Sequence, residues 1–162
     1  MDEDALSVGS LAPAFSLPDQ AGKNRTLQEF RGHWIFLYFY PNDDALWCGK
    51  EAEGFRNHFP EFQALDIVVI GISPNSPDEH RRFAKKYRLP FLLLSDHNKK
   101  IARHYGAVRA EIQGGVMPIS FLINIAGGIE KIYHVLRPEF HAKQVLADFQ
   151  KITEEDRDEI EL

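Results

Sequence analysis

The sequence predicts an α/β layered domain built on a mixed sheet. Three observations predict it. Short runs rich in aromatic and β-branched residues, Trp34 to Tyr40 and Ile67 to Ile72, are bounded by Pro, Asp and Ser and read as buried strands. Segments with helix start and stop signals alternate with these runs. Two further apolar runs flank Ala126-Gly127-Gly128, which makes the last two strands antiparallel neighbours.

Along the chain, a short strand is expected at Ala14 to Leu17 and a helical turn near Thr26 to Phe30. Trp34 to Tyr40 is the first long strand, closed by Pro41, and Lys50 to Phe59 is the helix after it. Ile67 to Ile72 forms the next strand. Ser76-Pro77-Asp78-Glu79 combines a capping box with proline at the first helical position, so a helix runs to about Tyr87. Phe91 to Leu94 is a strand, and Lys99 to Tyr105 a short helix stopped by Gly106. Phe121 to Ile123 and Ile129 to Val135 complete the sheet. Pro138 to Ile152 places Phe140, Val145, Leu146, Phe149 and Ile152 on one stripe, which marks a final helix packed on the sheet. Glu154 to Leu162 is strongly acidic and is expected to be a disordered tail, leaving a single domain over residues 1–153.

The chain of 162 residues fits one domain with a normal core. A net charge of −5 gives no support to a nucleic-acid surface. No apolar run approaches the roughly 20 residues that span a bilayer. The acidic start Met1-Asp2-Glu3-Asp4 lacks the basic and apolar regions of a signal peptide, and a cytoplasmic location is expected. One cysteine excludes an intrachain disulfide framework.

That cysteine, Cys48, stands where a helix is expected to begin. Unpaired backbone N–H groups and the positive end of a helix dipole favour a thiolate there. A lone cysteine is more often a small buried hydrophobe. The flanks argue otherwise: Pro41 closes the strand, Asp43 and Asp44 suit a helix start, and a patterned helix follows. The adjacent Asp43 and Asp44 are better explained by capping and dipole compensation than by paired-carboxylate chemistry. Asp96 is expected to cap the helix it precedes. The seven histidines form no HxxxH or HxH pair, so no metal site is expected, and His80, among charges, reads as a surface residue. Gly114-Gly115 and Gly127-Gly128 read as turns and not phosphate loops. Phe15, Phe30, Phe39, Phe55 and Phe59 read mostly as core. Phe39 and Trp47 are also candidates to line an apolar pocket beside Cys48.

The chain resembles the peroxiredoxins, in particular the bacterioferritin-comigratory-protein or PrxQ-like branch. The resemblance covers nearly the whole chain. It is carried by Val8-Gly9-Ser10-Leu11-Ala12-Pro13-Ala14-Phe15, by Tyr38-Phe39-Tyr40-Pro41-Asn42-Asp43-Asp44 and by Lys50-Glu51-Ala52-Glu53-Gly54-Phe55. Val69 to His80, Phe83 to Tyr87, Leu94-Ser95-Asp96 and Ser120 to Asn124 carry it further. The resemblance implies a thioredoxin-like three-layer fold, with a mixed central sheet and helices on both faces. It implies a thiol peroxidase without a cofactor, in which Cys48 attacks a hydroperoxide and becomes a sulfenic acid. Pro41 then matches the proline that shields the thiol pocket, and Glu51 the glutamate that fixes surrounding hydrogen bonds. Backbone N–H groups near Gly49 and Lys50 would stabilise the thiolate.

Three departures bear on this. Ala45 stands where the family has a threonine that orients thiolate and peroxide. Pro118 stands where it usually has an arginine that favours the thiolate; Arg56, Arg103 and Arg109 are candidate substitutes. Losing one such donor costs about 10²–10³ in rate at comparable sites. Glu53 stands where many members have a resolving cysteine, so turnover needs an external thiol such as thioredoxin, glutaredoxin or glutathione, acting on a monomer or homodimer. Trp47-Cys48-Gly49 and Pro118-Ile119-Ser120-Phe121 resemble thioredoxin segments. Met117–Pro118 is accordingly a candidate cis bond, against an ordinary trans proline at a strand entrance. Three readings stand: a weak one-Cys peroxidase, a monothiol exchange protein, or a scaffold that only binds.

Overall fold

The computed structural model describes residues 6–110, 115–135 and 137–161. Strands are β1 (Ser16–Pro18), β2 (Asn24–Thr26), β3 (Trp34–Phe39), β4 (Ile67–Ser73), β5 (Leu92–Ser95), β6 (Ile119–Ile123) and β7 (Ile129–His134). Helices are α1 (Leu46–Asn57), α2 (Phe59–Ala64), α3 (Pro77–Tyr87), α4 (Lys100–His104) and α5 (His141–Glu161), with single 3-10 turns at Leu27–Phe30 and Pro138–Phe140. Five strands form the central sheet in the order β5-β4-β3-β6-β7. β3 pairs parallel with β4 and antiparallel with β6; β4 and β5 are parallel, and β6 and β7 antiparallel. The mixed sheet and thioredoxin-like layering are as expected.

The period of two along β3 divides the core. Phe36 and Tyr38, continued by Tyr40, join Cys48 and Phe55 of α1, Phe62 of α2, Phe83 of α3 and Val145, Leu146 and Phe149 of α5. Ile35, Leu37 and Phe39 face the opposite side, with Phe15, Phe30, Ile101 of α4, Tyr105 and Phe121. Phe39 is therefore separated from Cys48 by the sheet and cannot line a pocket with it, whereas Trp47 packs against the thiol's own cluster.

The start of α3 is as the capping box predicts: Ser76 Oγ accepts the Glu79 N–H and Glu79 accepts the Ser76 N–H. Asp96 accepts the N–H groups of Ile101 and Ala102 at 3.2 and 2.8 Å, capping α4 with both oxygens. Other details differ from expectation. α1 begins four residues earlier than Lys50, and the chain after it re-forms a helix, α2, with Pro60 near its start. β2 pairs with β1 across a turn in which Asp19 accepts the Ala21 and Lys23 N–H groups; nothing apolar in Asn24-Arg25-Thr26 announces it. The acidic segment after Glu154 continues α5 to Glu161 in place of a disordered tail. Its departures in charge do not prevent propagation from a helix already anchored by Val145, Leu146 and Phe149. Residues 1–4 and Gly114 lie outside the described residues.

Candidate active site

Cys48 is the third residue of α1, inside the first turn and not ahead of it. Ala45 is the N-cap and makes no side-chain cap, so neither Asp43 nor Asp44 plays that part. The Cys48 and Gly49 N–H groups both bond back to the Ala45 carbonyl at 3.0 and 3.2 Å. They are spent on the helix. The group that favours the thiolate is the backbone N–H of Asn42, in the loop before the helix.

The thiol is almost sealed, 2% exposed. Burial pushes it up to about 12, the Asn42 N–H opposes this, and Glu51 and Asp43 push it further up. The charges acting on the sulfur are thus both acidic. The expectation of a thiolate favoured by its helix position is corrected: the resting group is a thiol, because desolvation outweighs one backbone donor.

Glu51 lies one helical turn beyond Cys48, also sealed, and neither carboxyl oxygen has a hydrogen-bond partner. Burial raises it to about 8, which leaves it mostly protonated at neutral pH. The neighbouring Tyr38 hydroxyl is likewise buried without a partner. Pro41 is half-buried between β3 and the loop that carries Asn42. Gly49 packs against the hydroxyl end of Tyr87: a Cβ there would lie 2.5 Å from the tyrosine oxygen.

His80 is the largest departure from the sequence reading. It is fully buried, with Nδ1 2.8 Å from Asp43 Oδ2 and Nε2 3.1 Å from the Leu94 carbonyl. Asp43 also accepts from the Tyr40 hydroxyl at 2.6 Å. The spacing Ser76 to Phe83 could have shown that His80 shares the inward face of α3 with Phe83, three residues on.

The candidate arginines are engaged elsewhere. Arg56 donates to the Tyr87 carbonyl and Arg103 to the Asn98 carbonyl, while Arg109 reaches Met117 Sδ at 3.3 Å, beside Pro118. No cis peptide occurs among the described residues, so Met117–Pro118 is trans; the Pro118 carbonyl accepts from Val135. A cleft of about 140 Å³ borders the loop, lined by Asp43, Asp44, Glu79, Arg82, Phe83 and Lys86. Neither this cleft nor a larger one of about 490 Å³ beside α2 and β5 is lined by Cys48, Pro41 or Glu51.

A lone thiol in the first turn of the helix that follows the central strand of a thioredoxin-like sheet is the layout of a thiol-based redox protein. Comparison with known proteins narrows the class. A family model described as the AhpC/TSA family matches residues 8–132. Peroxiredoxin Q, chloroplastic, of Gentiana triflora is 41% identical over 148 residues, 90% of this chain and 67% of the relative. The putative peroxiredoxin bcp of Coxiella burnetii is 35% identical over 147 residues, 88% of this chain and 97% of the relative. The crystal structure of peroxidoxin BcpB from Mycobacterium tuberculosis superposes with a TM-score of 0.83 at 28% identity, covering 91% of this chain and 98% of that one. The chain belongs to the AhpC/TSA family, in its peroxiredoxin Q and bacterioferritin-comigratory-protein branch, and its enzymatic class is that of the thiol-dependent peroxidases.

Proposed function

We propose that the protein is a one-Cys peroxidase in which Cys48 reduces hydrogen peroxide or an organic hydroperoxide. The sulfur attacks one peroxide oxygen, the O–O bond breaks, and the leaving oxygen takes up a proton to give water or an alcohol. Cys48 becomes a sulfenic acid. One external thiol then forms a mixed disulfide with release of water, and a second restores Cys48 as the external disulfide leaves. Thioredoxin, glutaredoxin or glutathione would supply these thiols.

One observation carries the reading: the sole cysteine of the sequence lies in the first turn of α1, the helix that follows the central strand of the sheet. Pro41 and Glu51 are proposed to shape the site, Pro41 by starting the loop and Glu51 by lining the space one turn below the thiol. Slow turnover is expected. The reactive form is the thiolate, and burial and two acidic neighbours oppose it. The enclosed sulfur also requires the first turn of α1 or its preceding loop to move before peroxide reaches it.

The test mixes reduced protein with hydrogen peroxide or cumene hydroperoxide, traps sulfenic acid with a dimedone-type reagent, and follows the mass of the Cys48 peptide. Sulfenylation within minutes, absent in Cys48→Ser, supports the reading. No modification beside a reactive peroxiredoxin control overturns it. A mixed disulfide with oxidised glutathione, formed in that case, would identify thiol exchange instead.

A further inference from the structure

Among the described residues, β5 ends one side of the central sheet and pairs as a strand only with β4. The outer edge of such a strand is a template for a further strand. Here the template is a sticky one: Phe91-Leu92-Leu93-Leu94-Ser95 carries no charge and no proline, a composition that pairs readily with its own copy.

A side chain covers this edge. Gln20 Nε2 donates to the Phe91 carbonyl and Gln20 Oε1 accepts the Leu93 N–H, both at 2.9 Å. The amide makes the two bonds that a peptide group of a neighbouring strand would make. Gln20 lies far from β5 in sequence, in the turn between β1 and β2. That turn is itself fixed. The Asp19 carboxylate, 4% exposed, accepts the Ala21 and Lys23 N–H groups at 2.8 and 3.0 Å. The Asp19 N–H donates to the Lys23 carbonyl at 2.8 Å, and Arg25 reaches Asp19 Oδ2 at 3.4 Å.

Leu93 shows what the amide blocks. Its N–H points to Gln20 and away from β4, and in an extended strand its carbonyl points the same way. Without Gln20, Leu93 would exchange both bonds with Leu93 of a second copy laid antiparallel about a two-fold axis, Phe91 facing Ser95 on either side. The cleft of about 490 Å³ beside this edge, bordered by Gln20, Phe59, Phe91 and Leu92, gives room for the side chains of the second strand.

We propose that Gln20 is an edge guard: by occupying the Phe91 carbonyl and the Leu93 N–H, it keeps β5 of a second copy from pairing with β5 and joining the two central sheets. The guard is independent of Cys48 and of any peroxidase chemistry, so activity is not its readout.

The test measures molar mass by light scattering over a range of protein concentrations, and exchange of the Leu93 amide hydrogen by NMR. Gln20→Ala should double the wild-type mass as concentration rises. Its Leu93 amide should exchange about tenfold faster than in wild type when dilute, the effect of one lost hydrogen bond, and slow again as the second copy supplies an acceptor. Adding Leu92→Lys to Gln20→Ala should restore the wild-type mass, because a lysine on an edge strand opposes pairing. A mass equal to wild type at every concentration overturns the proposal. Association that Leu92→Lys leaves intact also overturns it, since that contact lies elsewhere. Precipitation of Gln20→Ala is read in the same way: relief by Leu92→Lys supports the guard, and no relief overturns it. If Gln20→Ala does not fold, Gln20→Leu takes its place, keeping the size of the side chain without its polar groups. A merely structural role would lower the thermal midpoint and leave the mass unchanged.

Discussion

Glu51 sits one turn beyond Cys48 on α1, sealed from solvent with both carboxyl oxygens unpartnered, and burial raises it from an ordinary value of 4.5 to about 8. Among the described residues no guanidinium bonds the carboxyl. A group raised in the folded state binds its proton more tightly there than in the unfolded chain. Stability is therefore undiminished below about 4.5 and is lost as pH rises to about 8, by at most about 5 kcal/mol. Glu51→Gln should remove this loss and raise the thermal midpoint most at pH 8 and above. Melting curves from pH 4.5 to 8.5 check it; equal slopes for wild type and Glu51→Gln would show that the carboxyl is not held protonated.

His141 gives the opposite slope. It is buried at the start of α5, its Nε2 3.0 Å from Ser120 Oγ, with edge-on contacts to Phe36 and Tyr133. Burial lowers it from 6.5 to about 4. Its contribution is full above about 6.5 and is lost as pH falls to about 4, by at most about 3 kcal/mol. His141→Gln keeps an amide near Ser120 and does not titrate, so it should flatten the acid side of the stability profile. Denaturation midpoints at pH 4, 5.5 and 7 read this directly.

Gly49 is set by contact and not by backbone conformation. A Cβ at this position would lie 2.5 Å from Tyr87 Oη and 2.7 Å from Cζ. Gly49→Ala should cost about 1–3 kcal/mol by overpacking, since the tyrosine ring must move away from α1. Tyr87→Leu combined with Gly49→Ala should recover part of that loss, and a double-mutant cycle in urea measures the coupling. Additive costs would show that Tyr87 is not the obstacle.

Asp96 spans two free N–H groups of α4 from the end of β5. Asp96→Ala leaves both buried donors without this partner and should cost about 1–2 kcal/mol. Urea unfolding of Asp96→Ala against wild type checks the figure; a change of a few tenths would mean that the Asp96 bonds add little.

The sequence by itself determined the sheet and most of the helices. Runs such as Trp34-Ile35-Phe36-Leu37-Tyr38-Phe39 are apolar on both faces, which only a doubly covered strand explains. Ser76-Pro77-Asp78-Glu79 contains its own start signal. The motifs around Cys48 also marked the thiol. What the tertiary structure alone decided was environment. Asp43 has the composition of a helix cap, yet its carboxylate turns inward to His80, 37 residues away, because α3 lays a ring over the loop. Cys48 stands at a helix start, yet burial and two acidic neighbours raise it. Local sequence sets φ/ψ preference and periodicity; solvent exposure and the sign of nearby charge are sums over distant elements, and those sums determine how Cys48 and Glu51 are protonated.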